Sequence, residues 1–348
     1  MVHSLTQDAA PLIEITRGAM VESLHRGHIA AVNSTGEIIA SLGKIEIPTW
    51  YRSAAKPFQT IPIITSGTAR QFNLTPKELA IITASHSGEA IHLEVVATIL
   101  KKIGFDESDL LCGSHVPFDE TSAAKLAAEN RQPQSLHNNC SGKHSGMLAF
   151  AKFIGEPTTD YLNPEHAIQQ RILRVLAQFA DVPTDKIAIA VDGCSAPVFG
   201  VSILAMARSY ARLVGVRHTN IEPDLTDAAE QVVTAMIEFP EIVGGSRGRL
   251  DTDLMQAARG QIVSKVGAEG MQLLGVKPNA KFPTGLGIAI KIEDGDIRRA
   301  RDQVVIETLR QLGLLDETQL DQLAAYRQNT IFNHRQIKVG EIHACFKL

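Results

Sequence analysis

The 348-residue chain predicts a mixed α/β (α+β) fold: one antiparallel sheet built from both chain ends, helices on its faces, and a mostly helical region inserted between. Three observations carry this. Strand-like apolar runs bounded by turn residues gather near the start and again after Asp253, helical periodicity dominates from Thr75 to Arg212, and no repeat, low-complexity tract or flexible linker separates these stretches. The corresponding units are a discontinuous sheet domain, 1–60 with 255–348, and an inserted helical domain, 61–254, that carries the cysteine motifs.

Taken in order, His28 to Leu42 reads as two apolar runs around Asn33-Ser-Thr-Gly36, a β-hairpin signal. Pro48 then breaks the chain. A helix follows in which Pro57 is tolerable because it lies in the first turn, although Pro57 biases Lys56 away from helical angles. Further helical patterns run over Pro76 to Ser85, Glu89 to Ile103, Glu120 to Ala128, Ser141 to Ile154, Pro164 to Phe179, Ser202 to Leu213 and Thr226 to Glu238. A strand-like Ile187 to Asp192 interrupts them. After the glycine-rich loop Val243 to Asp253, Gln261 to Val266 and Gly270 to Val276 read as a second hairpin, Leu286 to Ile292 as a strand, and Ile297 to Leu312 as a helix.

Composition excludes several classes. A net charge of −4 argues against a nucleic-acid or polybasic membrane surface as the main partner. No apolar run is long enough to span a bilayer, and the opening Met1 to Asp8 has neither a basic start nor an apolar core, so a cytoplasmic location is expected. The four cysteines, Cys112, Cys140, Cys194 and Cys345, are too sparse for a disulfide framework.

The chemistry centres on Trp50-Tyr-Arg-Ser-Ala-Ala-Lys-Pro-Phe-Gln59. Ser53 and Lys56, three residues apart at a helix start, share one face, and such a lysine can take the serine's proton. That requires a neutral amine, so an ordinary pKa of roughly 10.4 must fall toward neutrality, a change worth roughly 4 kcal/mol, through burial and nearby positive charge. Alone, the pair also describes a serine cap with a solvated lysine. The rest of the chain supplies partners: Ser85 in the polar turn Ala84-Ser-His-Ser-Gly-Glu89, and Lys265 in the strand Ser264-Lys-Val-Gly267. Ser-x-x-Lys, a serine loop and a Lys-x-Gly strand occur in this order in penicillin-recognising hydrolases, which the pattern resembles. In such an arrangement Ser53 is the nucleophile, Lys56 its base, and Ser85 with Lys265 a second pair that relays protons. The oxyanion would lie near the Ser53 N–H and a strand N–H close to Gly267.

A second constellation is Leu136-His-Asn-Asn-Cys-Ser-Gly-Lys-His-Ser-Gly-Met-Leu-Ala149. Cys140, Lys143 and His144 share a helix face, and Asp192-Gly-Cys194 offers another thiol. Two thiolates with an imidazole or an amine, plus water, would make an open zinc site. Two buried structural cysteines are the alternative.

With Val21-Glu-Ser-Leu-His-Arg-Gly27, Ser85-His-Ser-Gly-Glu-Ala-Ile-His92, Leu111-Cys-Gly-Ser-His115, Asp192-Gly-Cys-Ser-Ala-Pro197 and Asp251-Thr-Asp-Leu-Met255 added, the sequence resembles the thermolabile, rhizobial-type L-asparaginase II family. That resemblance implies a β-lactamase-like fold, hydrolysis of L-asparagine to L-aspartate and ammonia, and two Ser-Lys tandems at Ser53 with Lys56 and Ser85 with Lys265. It also implies a zinc held by Cys140, Lys143 and Cys194 that helps position substrate, and a homodimer. Arg52, Asp192, His144 and Asp251 are the candidate substrate-binding residues. A zinc-water amidohydrolase, a glutaminase-type amidase and a non-catalytic amino-acid or zinc sensor are the alternative readings.

Overall fold

The computed structural model describes residues 8–327 and 330–348, so the opening stretch 1–7 lies outside the described residues. The strands are β1 (Ala10–Arg17), β2 (Met20–Asn33), β3 (Ile38–Leu42), β4 (Pro48–Trp50), β5 (Ala188–Val191), β6 (Pro197–Ser202), β7 (Ile262–Val266), β8 (Met271–Val276), β9 (Leu286–Ile292), β10 (Thr330–Phe332) and β11 (Lys338–Ala344). Eight of them form an antiparallel sheet in the order β10-β11-β1-β2-β9-β8-β7, with β3 also on β2. The long β2 makes this possible: its first half pairs with β1, its second half with β3 on the same edge, and β9 lies on the other. The sheet is thus assembled from both ends of the chain around a helical middle, as the apolar pattern predicts.

Both sheet faces are covered, and the two-residue strand period divides the side chains between them. Ile29 and Ala31 of β2 and Leu286, Ile288, Ile290 and Ile292 of β9 join one core with Leu250, Leu254, Val304 and Leu309. Their neighbours Ala30, Val32 and Ala289 enter the other core, with Tyr51, Phe58, Met206 and Tyr210 of the helical region. The helix Ile203–Val214 lies directly on this second face, so close that a Cβ on Gly287 would sit 1.9 Å from the Ala207 carbonyl oxygen. Only glycine permits that contact.

This helix carries the sheet's position to the chemistry. Ser209 Oγ accepts a hydrogen bond from the Tyr51 hydroxyl at 2.9 Å, and the Tyr210 hydroxyl donates to the Ala54 carbonyl at 2.9 Å. Both tyrosines are fully buried, and the segment containing Ser53 is held between them.

The sequence pattern misses β1, β4, β6, β10 and β11. β4, β6 and β5 make a separate three-stranded sheet, in which the Trp50 ring packs over Gly200. Glycine interrupts the apolar run of β6 and hides it. The helix at Ile297 starts with a π-helical turn, Ile297–Arg301, before the α-helix Asp302–Gln311. Among the described residues no helix is long and apolar enough to cross a membrane.

Gly287→Ala should force the helix away from the sheet and cost about 2 kcal/mol of stability. Urea unfolding measures this, and a variant as stable as the parent would show that the close contact has no energetic weight.

Candidate active site

Ser53 sits in a short 3-10 turn, Arg52–Ala55, that runs straight into the α-helix Lys56–Thr65. Arg52 enters this turn with a left-handed φ of 49°, a conformation that costs a non-glycine residue energy and persists only when its surroundings hold it. The Arg52 Nε bonds Asp192 Oδ1 at 2.8 Å, which supplies part of that hold. Lys56 adopts helical angles (φ −59°, ψ −36°) despite Pro57. Its side chain explains why: the buried amine donates to the Ala84 carbonyl, to Ser85 Oγ at 3.1 Å and to the Asn139 carbonyl at 3.4 Å.

The spacing of Ser53 and Lys56 suggests a direct pair, but the Lys56 amine is engaged with Ser85 instead. None of the described residues hydrogen-bonds the half-buried Ser53 hydroxyl. The second lysine arrives from β7. Lys265 Nζ, completely buried, donates to the same Ser85 Oγ at 2.8 Å and to the Val266 carbonyl at 3.0 Å. Lys56, Ser85 and Lys265 therefore form one hydrogen-bonded row.

Burial, the dominant effect, drives the Lys265 pKa well below the ordinary lysine range. The Asp251 carboxylate pulls it up, and the charges of Lys56 and Arg249 push it down further. Ser85 is fixed from behind: its N–H donates to the Val243 carbonyl at 3.0 Å, and its own carbonyl accepts from Arg249 at 2.8 Å. Arg249 also donates to Ser87 Oγ and the Gly244 carbonyl, tying the serine turn to the glycine-rich loop.

Asp251, expected at the substrate, lies beneath the lysine. One oxygen accepts from Ser264 Oγ at 2.7 Å and Gln272 Nε2 at 2.8 Å, and the other from the Val266 N–H at 2.9 Å. Burial alone would raise its pKa. The Lys265 charge and these three donors outweigh burial and hold it below the usual carboxylate range. His144 points one ring nitrogen away from the lysine row: its Nδ1 faces the Tyr161 hydroxyl at 2.7 Å, and its buried Nε2 has no hydrogen-bond partner among the described residues. Burial, with Lys143 and Lys56 nearby, keeps its imidazole neutral.

Cys140, Lys143 and Cys194 do come together. Cys140 caps the helix Ser141–Ile154, which lies close enough to Pro76–Thr83 that a Cβ on Gly142 would sit 2.1 Å from the Ile81 carbonyl oxygen. Opposite, the turn from β5 to β6 closes as the Asp192 N–H donates to the Ala196 carbonyl and the Ser195 N–H to the Asp192 carbonyl, and it places Cys194 2.9 Å from Lys143 Nζ. The hydrogen bond from Cys194 lowers the Cys140 thiol pKa well below its ordinary range, against burial and with help from Lys56 and Lys143. Burial opposes the Lys143 ammonium, but the two sulfurs outweigh it and raise its pKa. Two convergent sulfurs and an amine suit a soft tetrahedral metal such as zinc, so these residues fit the ion. The set depends on the lysine, because no group of three His, Cys, Asp or Glu side chains suited to a metal occurs among the described residues.

Several groups at the site carry no signal in the sequence. The Ala84 and Asn139 carbonyls are backbone atoms, which any residue type could supply. Arg249 lies in a loop whose glycines and polar residues were legible, but not its reach to Ser85.

With this geometry in place, comparison with known proteins decides the family. A model of the L-asparaginase II family matches residues 13–344. The chain belongs to that family. Membership makes it an amidohydrolase. No curated protein matches this family member in sequence. Solved structures it resembles include a probable glutaminase from Bacillus subtilis complexed with 6-diazo-5-oxo-L-norleucine (12% identity, 83% of this chain and 84% of that one, TM-score 0.41). Another is Mglu in its tris and glutamate form (16% identity, 87% of this chain and 63% of that one, TM-score 0.46). Likenesses this distant carry no argument about substrate or site.

Asp251 raises the Lys265 pKa, so Asp251→Asn should lower it further. A base must be neutral to act, and activity falls as pH drops through its folded pKa. The acid limb of the kcat/KM profile should therefore move to lower pH in the variant; an unmoved limb would remove Lys265 from the rate-determining proton transfers.

Proposed function

We propose that the chain is an L-asparagine amidohydrolase using Ser53 as nucleophile. The observation that carries this reading is the row Lys56–Ser85–Lys265, whose Lys56 lies one helical turn after Ser53, in a chain of this family. A proton passing along the row, from the Lys56 ammonium through the Ser85 hydroxyl to Lys265, leaves Lys56 neutral. Lys56 then takes the Ser53 proton as Oγ attacks the side-chain amide carbon.

The developing oxyanion needs two N–H donors. The Ser53 N–H, at the start of the turn, is one. Of the N–H groups close to Gly267, that of Gly267 itself is already donated to the Met271 carbonyl at 2.9 Å, and the next, that of Ala268, would be the second. Gly267 itself touches the Ser53 segment: a Cβ there would sit 2.7 Å from the Tyr51 carbonyl oxygen. Collapse of the tetrahedral adduct breaks the C–N bond, and the amide nitrogen leaves as ammonia with a proton from the row. Water then cleaves the Ser53 ester, giving aspartate and regenerating the serine.

Arg52 would bind the substrate α-carboxylate, a reading its bond from Nε to Asp192 Oδ1 supports by fixing the guanidinium. Cys140, Lys143 and Cys194 would hold a zinc ion, and the chemistry it supplies is a fixed positive charge that orients the polar end of the substrate. Lys143 must give up its proton to bind, so metal uptake should weaken as pH falls.

Ammonia release from asparagine and glutamine, measured side by side, tests the reading. Ser53→Ala should lose turnover by a factor of about 10³ or more while its circular dichroism and melting stay those of the parent. Near-parental activity would overturn the nucleophile assignment, and ligand binding without ammonia from the parent would favour a sensor. Zinc-free protein should keep Ser53-dependent turnover with a KM raised roughly tenfold. Complete loss that zinc restores would favour metal-activated water.

A further inference from the structure

One charged group beside Arg52 has no role in the scheme above. Glu269 follows Ala268 in the turn between β7 and β8, and its carboxylate stands 3.9 Å from Arg52 NH1, while Asp192 holds Nε of the same guanidinium. The two acids bracket Arg52 from different sides. They are not equivalent. Asp192 Oδ1 also accepts from the Gly193 N–H at 2.8 Å and is largely enclosed, whereas the Glu269 side chain is 72% exposed and makes no side-chain hydrogen bond among the described residues.

The backbone under Glu269 is held for presentation. Its φ is +60°, a left-handed conformation between Gly267 and Gly270 in a turn where glycine would be the easier choice. Lys291, a buried lysine on β9, donates to the Glu269 carbonyl and to the Ile292 carbonyl, and no carboxylate lies within salt-bridge distance of it among the described residues. Its protons are spent on backbone oxygens. The turn bearing the Ala268 N–H and the Glu269 carboxylate is thereby clamped to the sheet and, through Gly267, to the Ser53 segment.

We propose that Glu269 is the substrate-binding residue that receives the α-ammonium group of the amino-acid amide, with Arg52 taking the adjacent α-carboxylate. A zwitterionic head group places a cation and an anion on one carbon, and neighbouring Arg52 and Glu269 present the complementary pair. The site thereby selects amides that carry an α-amino group over otherwise identical amides without one. This assignment rests on the amidohydrolase reading, and the substrate comparison below separates the two.

The experiment compares L-asparagine with succinamate, the same amide lacking the α-amino group, in the parent and in Glu269→Gln, with succinamate read as substrate or as competitive inhibitor of asparagine turnover. The variant should raise KM for asparagine roughly tenfold with kcat within about twofold, the size expected for one partly exposed charge-assisted bond. Its KM or inhibition constant for succinamate should be unchanged or lower. Equal losses on both compounds, or an unchanged KM for asparagine, would overturn the assignment. A parent enzyme that releases no ammonia from any amide would overturn the underlying reading and the assignment with it.

Discussion

Two buried lysines sharing one serine hydroxyl set the terms for the rest of the structure. Lys56 and Lys265 both reach Ser85 Oγ, so their nitrogens lie within about 6 Å of each other, where two positive charges repel by roughly 3 kcal/mol even at the effective dielectric of a buried protein site. Two full charges in this enclosure repel, which favours the loss of one proton. The surroundings bias which lysine lacks it. Lys56 has two carbonyl acceptors besides Ser85, whereas Lys265 has one, and burial depresses its pKa. The Asp251 carboxylate limits that depression.

The architecture serves this row. Lys265 comes from the sheet, Lys56 from a helix, and Ser85 from a loop, and each is far from the others in sequence. The helix Ile203–Val214 joins the sheet to the Tyr51–Ala54 segment through Gly287 on one side and Ser209 and Tyr210 on the other. Arg249 ties the Ser85 turn to the glycine-rich loop, and Lys291 ties the turn after β7 to β9. The cysteine pair and Lys143 sit on the helical side, where Asn139 links their segment to Lys56. The position of the row thus depends on contacts between sheet and helices.

Much of this was legible in the sequence because it rests on local pattern. The hairpin at Asn33 to Gly36, the strand Leu286–Ile292 and the helices Glu120–Ala128 and Ser141–Ile154 are each marked by period and by turn or cap residues. Ser53, Lys56, Ser85 and Lys265 stand out by their order along the chain, and the structure joins the last three in one row, with Ser53 one turn before Lys56. What escaped has a common cause. His144 shares a helix face with Cys140 by spacing, yet Tyr161, distant in sequence, turns its ring into the core. Asp251 looks like any loop carboxylate until β7 and β8 close over it. Edge strands such as β10 have exposed, mixed faces and so lack a period. Glu269 gains its meaning only from Arg52 across the fold.

The direct test of the shared-proton row is a titration of individual lysines by carbon NMR, with Lys265 identified by its loss in Lys265→Arg. The structure calls for Lys265 to lose its proton far below the pH at which the surface lysines do, and for that pH to rise when Lys56→Met removes the neighbouring charge. A Lys265 signal that titrates with the surface lysines, or that ignores the Lys56 substitution, would contradict the account.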